Sequence, residues 1–182
     1  HNLEQLVGDM LGFARGAAAS DSPVALADIS VAVANAADAL LRPGQRLEVS
    51  KPARTAVVCG NRQALVGAVL NLVSNALQAG GTSAVVRIES RIDGRAAEIR
   101  VIDNGPGVPA ALRQKIFEPF FTTRADGTGL GLAVVKSVAE AHGGEIRLDN
   151  ADCHGSDSAG ACFVLRLPLA AGVGRLREHQ AA

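Results

Sequence analysis

Three groups of residues in this 182-residue chain have types and spacings that could do chemistry. The first is a stripe of neutral polar side chains, Asn71, Ser74, Asn75 and Gln78, in the otherwise apolar run NRQALVGAVLNLVSNALQAGG. Their i, i+3, i+4, i+7 spacing puts all four on one face of a helix. Burying amides costs roughly a few kcal/mol unless each finds a partner, so the stripe needs a ligand or a hydrogen-bond network. An amide oxygen is a hard donor suited to Mg2+, which keeps several waters and shares phosphates with few protein groups. Ordinary helix-packing hydrogen bonds are the plainer alternative. The second group is Asp103, at the end of AEIRVID, followed by Gly105 and Gly107. A carboxylate there can accept from an exocyclic amine while the glycines let a flat ring lie on bare backbone. Asn-Gly and Pro-Gly are also ordinary turn chemistry, and the glutamate that would close a calcium loop is missing. The third is Gly127, Gly129 and Gly131, set directly against an apolar helical pattern in FFTTRADGTGLGLAVVKSVAEAHGG. Glycines in that place let phosphate approach N–H groups at a positive helix end; the alternative is a flexible capping loop. A Walker loop needs Lys-Ser or Lys-Thr where this chain has Leu132-Ala133, and a dinucleotide fingerprint needs a preceding strand and a glycine at 132.

The elements that must hold these groups follow from periodicity and punctuation. The spacing predicts a helix over 61–79, capped by Asn61 and stopped by Gly80-Gly81. SAVVRIESRIDG and AAEIRVIDNG alternate apolar with polar residues and join at Asp93-Gly94 as a hairpin. A helix over 129–142 ends at His142-Gly143-Gly144, and GEIRLDN with GACFVLRLP form a second hairpin across a polar loop. Upstream, LADISVAVANAADALL reads as a helix ended by Pro43-Gly44, and RLEVS and TAVVCG as short strands. Residues 3–14 carry a narrow apolar stripe typical of a helix bundle. Residues 17–23 read as a linker, 24–168 as the main domain and 169–182 as a weakly patterned tail. Antiparallel hairpins interleaved with helices predict an α+β sandwich, a sheet covered on one face.

At 48% hydrophobic and 20% charged, the chain can bury a sizeable core. Eighteen basic and eighteen acidic residues cancel, which removes a global field for nucleic acid or an acidic membrane. Cys59, Cys153 and Cys162 are irregularly spaced, giving neither a disulfide framework nor a zinc pattern. Their odd number favours a reducing compartment, the cytoplasm. No run approaches the ~18 apolar residues of a membrane span, and His1-Asn2-Leu3 does not open a signal sequence. Direct membrane contact is therefore not expected of this chain. Of the five Phe, three fall at 117, 120 and 121, and there is no Trp or Tyr. That clustering suggests a docking surface or pocket wall, against the alternative of ordinary core.

In order, LNLVSNALQA, DNGPGV, IFEPFFTT and GTGLGLAVVK resemble the N, G1, F and G2 boxes of the sensor histidine kinase catalytic domain. That domain sits in a wider ATPase superfamily with gyrase, Hsp90 and MutL. The resemblance covers residues 24–168, and the ordered set is far more specific than any member. LEQLVGDMLGFARG, within residues 1–16, resembles the end of the second helix of the kinase's dimerization and histidine phosphotransfer domain. The nearest likeness is to nitrogen-regulation and flagellar-regulation kinases, which share the short lid. The resemblance implies a Bergerat-type two-layer sandwich, a mixed sheet covered on one face by helices and preceded by a bundle-type helix, with ATP and Mg2+ between helices and lid. By it, Asn71 and Asn75 are catalytic, with Asn75 the metal ligand; Asp103 reads the adenine amine above Gly105 and Gly107. Gly127, Gly129 and Gly131 place amides around the triphosphate, and Thr122, Thr123 and Arg124 form the lid. Gln78, Val108, Thr128, Leu130 and Leu132 complete the nucleotide site. Three departures stand out: Gln78 replaces a frequent phosphate-facing Lys, with Arg124 as its substitute; Cys162 stands where a Thr often supports adenine; and only Arg124, Ala125 and Asp126 separate Thr123 from Gly127.

The side chain at 71 separates branches of that superfamily. Water-hydrolysing relatives use a glutamate there as general base, and an amide cannot take that proton. Phosphoryl transfer to a neutral imidazole, already a nucleophile, asks mainly for positioning and charge neutralisation. The expected function is therefore a two-component kinase catalytic domain that passes the γ-phosphate to a histidine on a separate helical domain. A response regulator and a homodimeric full-length protein are the implied partners. None of His1, His142, His154 and His179 has the family's acceptor setting. His142 reads as a helix C-cap, and His154 as part of a polar loop rather than a metal site with Cys153 and Asp157. Ile116, Phe117, Phe120 and Phe121 would offer an apolar face to the histidine-bearing helix pair. Two alternatives are an ATP-hydrolysing ATPase of the same fold and an anti-sigma or partner-switching serine kinase module.

Overall fold

Alternation on either side of Asp93-Gly94 builds the centre of the fold. Strand β4 (Val85–Asp93) turns through Gly94, at φ +60°, into β5 (Ala96–Asp103), with Asp93 opposite Ala96. In this computed structural model, which describes residues 22–50, 56–125, 127–149 and 160–170, the elements before that hairpin are β1 (Pro23–Ala25), α1 (Leu26–Ala37), β2 (Arg46–Val49), β3 (Val57–Cys59) and α2 (Arg62–Ala79). After it come α3 (Gly131–Ala141), β6 (Glu145–Asp149) and β7 (Cys162–Pro168). The main sheet runs β2-β4-β5-β7-β6, with β2 and β4 parallel and the other neighbours antiparallel. This is the mixed α+β sheet that the sequence predicts. The expected helix at 3–14, the loop holding Cys153 and His154, and residues 171–182 lie outside the described residues.

All three α-helices among the described residues contribute to one apolar layer. Leu26, Ile29 and Val33 of α1, Leu65, Val69, Leu72 and Val73 of α2, and Val135 and Val138 of α3 are buried. They join Val86, Ile88, Ile99, Val101, Leu165 and Leu167 of the sheet in one core cluster. Helix α1 stops at Ala37, earlier than its apolar pattern, and a 3-10 turn over Asp38–Leu40 leads to the Pro43-Gly44 break. At α2 the predicted cap is present: the Asn61 side chain accepts from the N–H groups of Gln63 and Ala64 at 3.0 and 3.1 Å. His142 does more than close α3. Its buried ring donates from Nδ1 to the Val138 carbonyl at 2.7 Å and accepts the Asn61 N–H on Nε2 at 3.0 Å. One tautomer thus ties the end of α3 to the start of α2.

Strands β1 and β3 form a separate antiparallel pair. The segment expected to be a weakly patterned tail begins inside the fold instead: Leu169 bridges Val58, and the Ala170 N–H donates to the Val57 carbonyl at 2.8 Å.

The sheet face away from the helices is charged, yet Glu98 on it is fully buried. Its carboxylate takes Arg91 Nε at 2.8 Å and Arg147 Nη2 at 3.3 Å, with Arg166 Nε at 3.9 Å. The Glu98 hydrogen bond raises the Arg91 pKa further above its already high ordinary value. Removing the carboxylate leaves three arginines facing one another, each still reaching water. We expect Glu98→Ala to cost about 2 kcal/mol in urea denaturation, below the several kcal/mol of a fully desolvated pair, with Glu98→Gln losing less.

Candidate functional site

The polar stripe of α2 opens on a cavity of about 560 Å3. Asn71, Ser74, Asn75 and Gln78 form its floor, and Thr122, Thr123 and Arg124 with Gly127, Thr128, Gly129, Gly131 and Leu132 close it from above. Helix α3 starts at this cavity without a side-chain cap on its first turn. Gly131, its first residue, faces Asn75: a Cβ there would sit 3.7 Å from Asn75 Nδ2. An uncapped helix N-terminus beside amide side chains is a place where anionic oxygens find donors.

The lid over it is short and clasped. Phe120 N–H donates to the Gly129 carbonyl at 2.9 Å, so the intervening chain leaves and returns at one point. Gly129 has φ +68°, and a Cβ on it would lie 2.4 Å from the Phe120 carbonyl carbon. Glycine at 129 is therefore a requirement of the clasp, through both conformation and space. Within the loop, Thr122 Oγ1 accepts the Arg124 N–H at 3.1 Å, and Gly127 N–H reaches the Arg124 carbonyl at 3.2 Å. Arg124 Nη1 donates to Gln78 Oε1, and Gln78 Nε2 donates to Ser74 Oγ at 3.3 Å. Gln78 thus orients the lid's guanidinium.

Asp103 lies outside the cavity lining. It is buried, and its Oδ1 accepts the Gly105 N–H at 2.8 Å and the Ala161 N–H at 3.2 Å. The turn abuts α2: a Cβ on Gly105 would be 3.3 Å from Ala79, which lines the cavity. Gly107, at φ +74°, passes close to the Gly160 carbonyl. Asn104 anchors the same turn by accepting the Val85 N–H at 2.8 Å and donating to the Ser83 carbonyl at 3.1 Å. Of the residues expected at the site, Asp103, Gly105, Gly107, Val108 and Leu130 do not line the cavity itself; the others do.

Three readings change. The sulfur of Cys162 faces the charged side of the sheet, with Arg100 Nη2 3.6 Å away, because β7 alternates Phe163 inward and Cys162 outward. Ala161, not Cys162, is therefore the neighbour of Asp103. Cys162 is also disulfide-bonded, where the irregular cysteine spacing predicts no disulfide framework. The phenylalanines, finally, do not form one face. Phe117 packs edge-on against Phe163 at 6.3 Å between centroids, Phe121 lines the cavity with Ile116, and Phe120, left-handed at φ 66°, is 73% exposed. Sequence reasoning also missed Arg42, which lines the cavity from the connection before β2; an arginine before a Pro-Gly turn carries no signal of that.

The fold and cavity together define an α+β module with a polar, glycine-lined pocket between a helix and a short lid. The family described as histidine kinase-, DNA gyrase B- and HSP90-like ATPase matches residues 60–171, and the chain belongs to it, as a histidine kinase ATP-binding catalytic domain. Its sequence is 41% identical over 171 residues to the sensor protein kinase FleS of Pseudomonas aeruginosa, covering 93% of this chain and 40% of FleS. It is 42% identical over 105 residues to the sensor histidine kinase ZraS of Escherichia coli O157:H7, covering 58% of this chain and 22% of ZraS. The chain thus spans less than half the length of these curated relatives. Among solved structures, the mycobacterial sensor histidine kinase MprB superposes with a TM-score of 0.71 at 32% identity, over 82% of this chain and 97% of that one. ShkA in complex with AMPPNP gives 0.70 at 31% identity, over 92% of this chain and 36% of that one. ThkA in complex with the response regulator TrrA gives 0.71 at 25% identity, over 92% and 47%.

The clasp gives a direct test. We expect Gly129→Ala to weaken binding of a fluorescent ATP analogue by about tenfold or more, with only a few degrees lost in Tm. Retained affinity would mean that the clasp does not govern the lid.

Proposed function

We propose that this domain binds Mg-ATP and passes the γ-phosphate to a histidine on a separate helical domain of the same two-component kinase. The observation that carries the reading is the make-up of the cavity: amides, hydroxyls, glycine backbone and arginine meet there, with no carboxylate among the described lining residues. Such a lining holds a polyphosphate and its cation but offers no base to activate water. The hydrolysing alternative is disfavoured on that ground.

The residue roles follow from position. Asp103, its Oδ1 held by two backbone amides, would accept from the adenine amine, with Gly105 and Gly107 under the ring. Gly127, Gly129 and Gly131 would present backbone N–H groups to the phosphates, and Arg124 would neutralise part of their charge. No group of three or more His, Cys, Asp or Glu that could hold a metal occurs among the described residues. One half-buried amide, Asn75, suits an ion that arrives with the phosphates and keeps most of its own ligands. When bound, that ion supplies neutralisation of charge on the transferring group. Asn71, one turn earlier, would fix the cation's waters and the phosphates. The protein's contribution is positioning, and the imidazole acceptor needs no base.

Residues 1–16 would be the end of the dimerization and histidine phosphotransfer helix pair, with 24–168 the catalytic domain. Exposed Phe120 is the apolar contact offered to that helix pair, whose homodimer carries the acceptor. A response regulator would dock chiefly on the same helices, and the domain would work in the cytoplasm, where ATP is supplied. His142 is committed to the packing of α2 on α3, which suits an acceptor elsewhere.

Calorimetric titration with ATP tests the reading. Wild-type protein should bind ATP more weakly when Mg2+ is withheld, Asn75→Ala should erase that difference, and Asp103→Asn should lose at least about tenfold in affinity for ATP and adenosine alike. A wild-type chain that binds no adenine nucleotide sinks the proposal.

A further inference from the structure

We infer that Arg42 is a second phosphate-binding cation of the site, directed at the terminal phosphate of a nucleoside triphosphate. The inference rests on the nucleotide reading above and adds to it a residue from outside the four sequence boxes. Its backbone is pinned to the end of the polar helix through Gln45. The Gln45 side chain accepts the Arg42 N–H at 3.0 Å and donates to the Leu77 and Gly81 carbonyls at 3.0 and 2.8 Å. That staple holds the connection beside the stripe, and Arg42 lines the main cavity from there. It also lines an adjoining recess of about 320 Å3, which shares Ser74, Gln78 and Arg124 with the cavity.

Charge decides what the pair of spaces accepts. Arg42 and Arg124 arrive from two distant segments, and no Asp or Glu is among the described residues lining either space. Neither arginine has an ion pair among the described residues. Arg124 instead donates to the neutral side chain of Gln78. Two arginines lining a space without a counter-charge favour a multiply charged anion. The terminal phosphate carries most of the charge by which ATP exceeds ADP. Arg42 therefore separates ATP from ADP, whereas Asp103, which reads the base in the proposed function, treats them alike.

The test is calorimetric titration of wild type, Arg42→Gln and Arg42→Lys with ATP and with ADP, Mg2+ present, plus competition by inorganic phosphate. Arg42→Gln should weaken ATP by about tenfold, the size of one charge-assisted hydrogen bond. ADP should stay within about twofold, and Arg42→Lys should recover most of the loss. Equal weakening of both nucleotides, or no change in either, overturns the inference. So does inorganic phosphate that competes as well as ATP, since the recess would then be a free-anion site. Wild-type binding of neither nucleotide overturns the nucleotide reading itself, an outcome distinct from an unchanged ATP-to-ADP ratio in a chain that binds both.

Discussion

Everything at the site depends on one helix being pressed into the core on most of its circumference while keeping a single polar stripe. Leu65, Val69, Leu72, Val73 and Ala76 fix α2 against the sheet and its helical neighbours. With that many apolar contacts the helix has no rotational freedom, so Asn71, Ser74, Asn75 and Gln78 can point only at the cavity. Its start is locked too, through Asn61 and the ring of His142. The amides gain preorganisation from packing that has nothing to do with ligand, which is how a site made of weak neutral donors can be precise.

The opposite wall is built on a different principle. The lid has little core of its own; it is a loop closed by one backbone hydrogen bond between Phe120 and Gly129. That closure forces the left-handed conformation of Phe120 and turns its ring outward. The same strained residue thus serves two surfaces, the cavity through its backbone and a partner through its side chain. The outer face of the sheet is charged. Glu98 and its arginines satisfy one another there, and the face needs no helix to cover it.

The sandwich, the central hairpin and the cap of α2 were legible in the sequence because each rests on local periodicity or turn chemistry; the convergence of stripe and glycines was legible only through the resemblance of the four boxes. What was not legible depends on distance. Whether Phe117 points inward is set by Phe163, almost fifty residues away in the chain. The side of the sheet that Cys162 occupies is set by the register of β7 on β5, where it faces Ile102, and an apolar-rich strand blurs that alternation. Leu169 and Ala170 join the small sheet through backbone groups, which composition cannot report. Arg42 belongs to the site only because Gln45 folds its loop onto α2. Burial of Glu98 was hidden for a similar reason, since its partners come from three other strands.

The most direct measurement is transfer in trans. The purified chain would be incubated with γ-labelled ATP, Mg2+ and a separately produced helical domain carrying the acceptor histidine. The proposed kinase function predicts label on that histidine, labile to acid and stable to base, absent with Asn75→Ala, and no steady release of phosphate. Phosphate released to water without labelled acceptor, or label of acid-stable serine type, would contradict it.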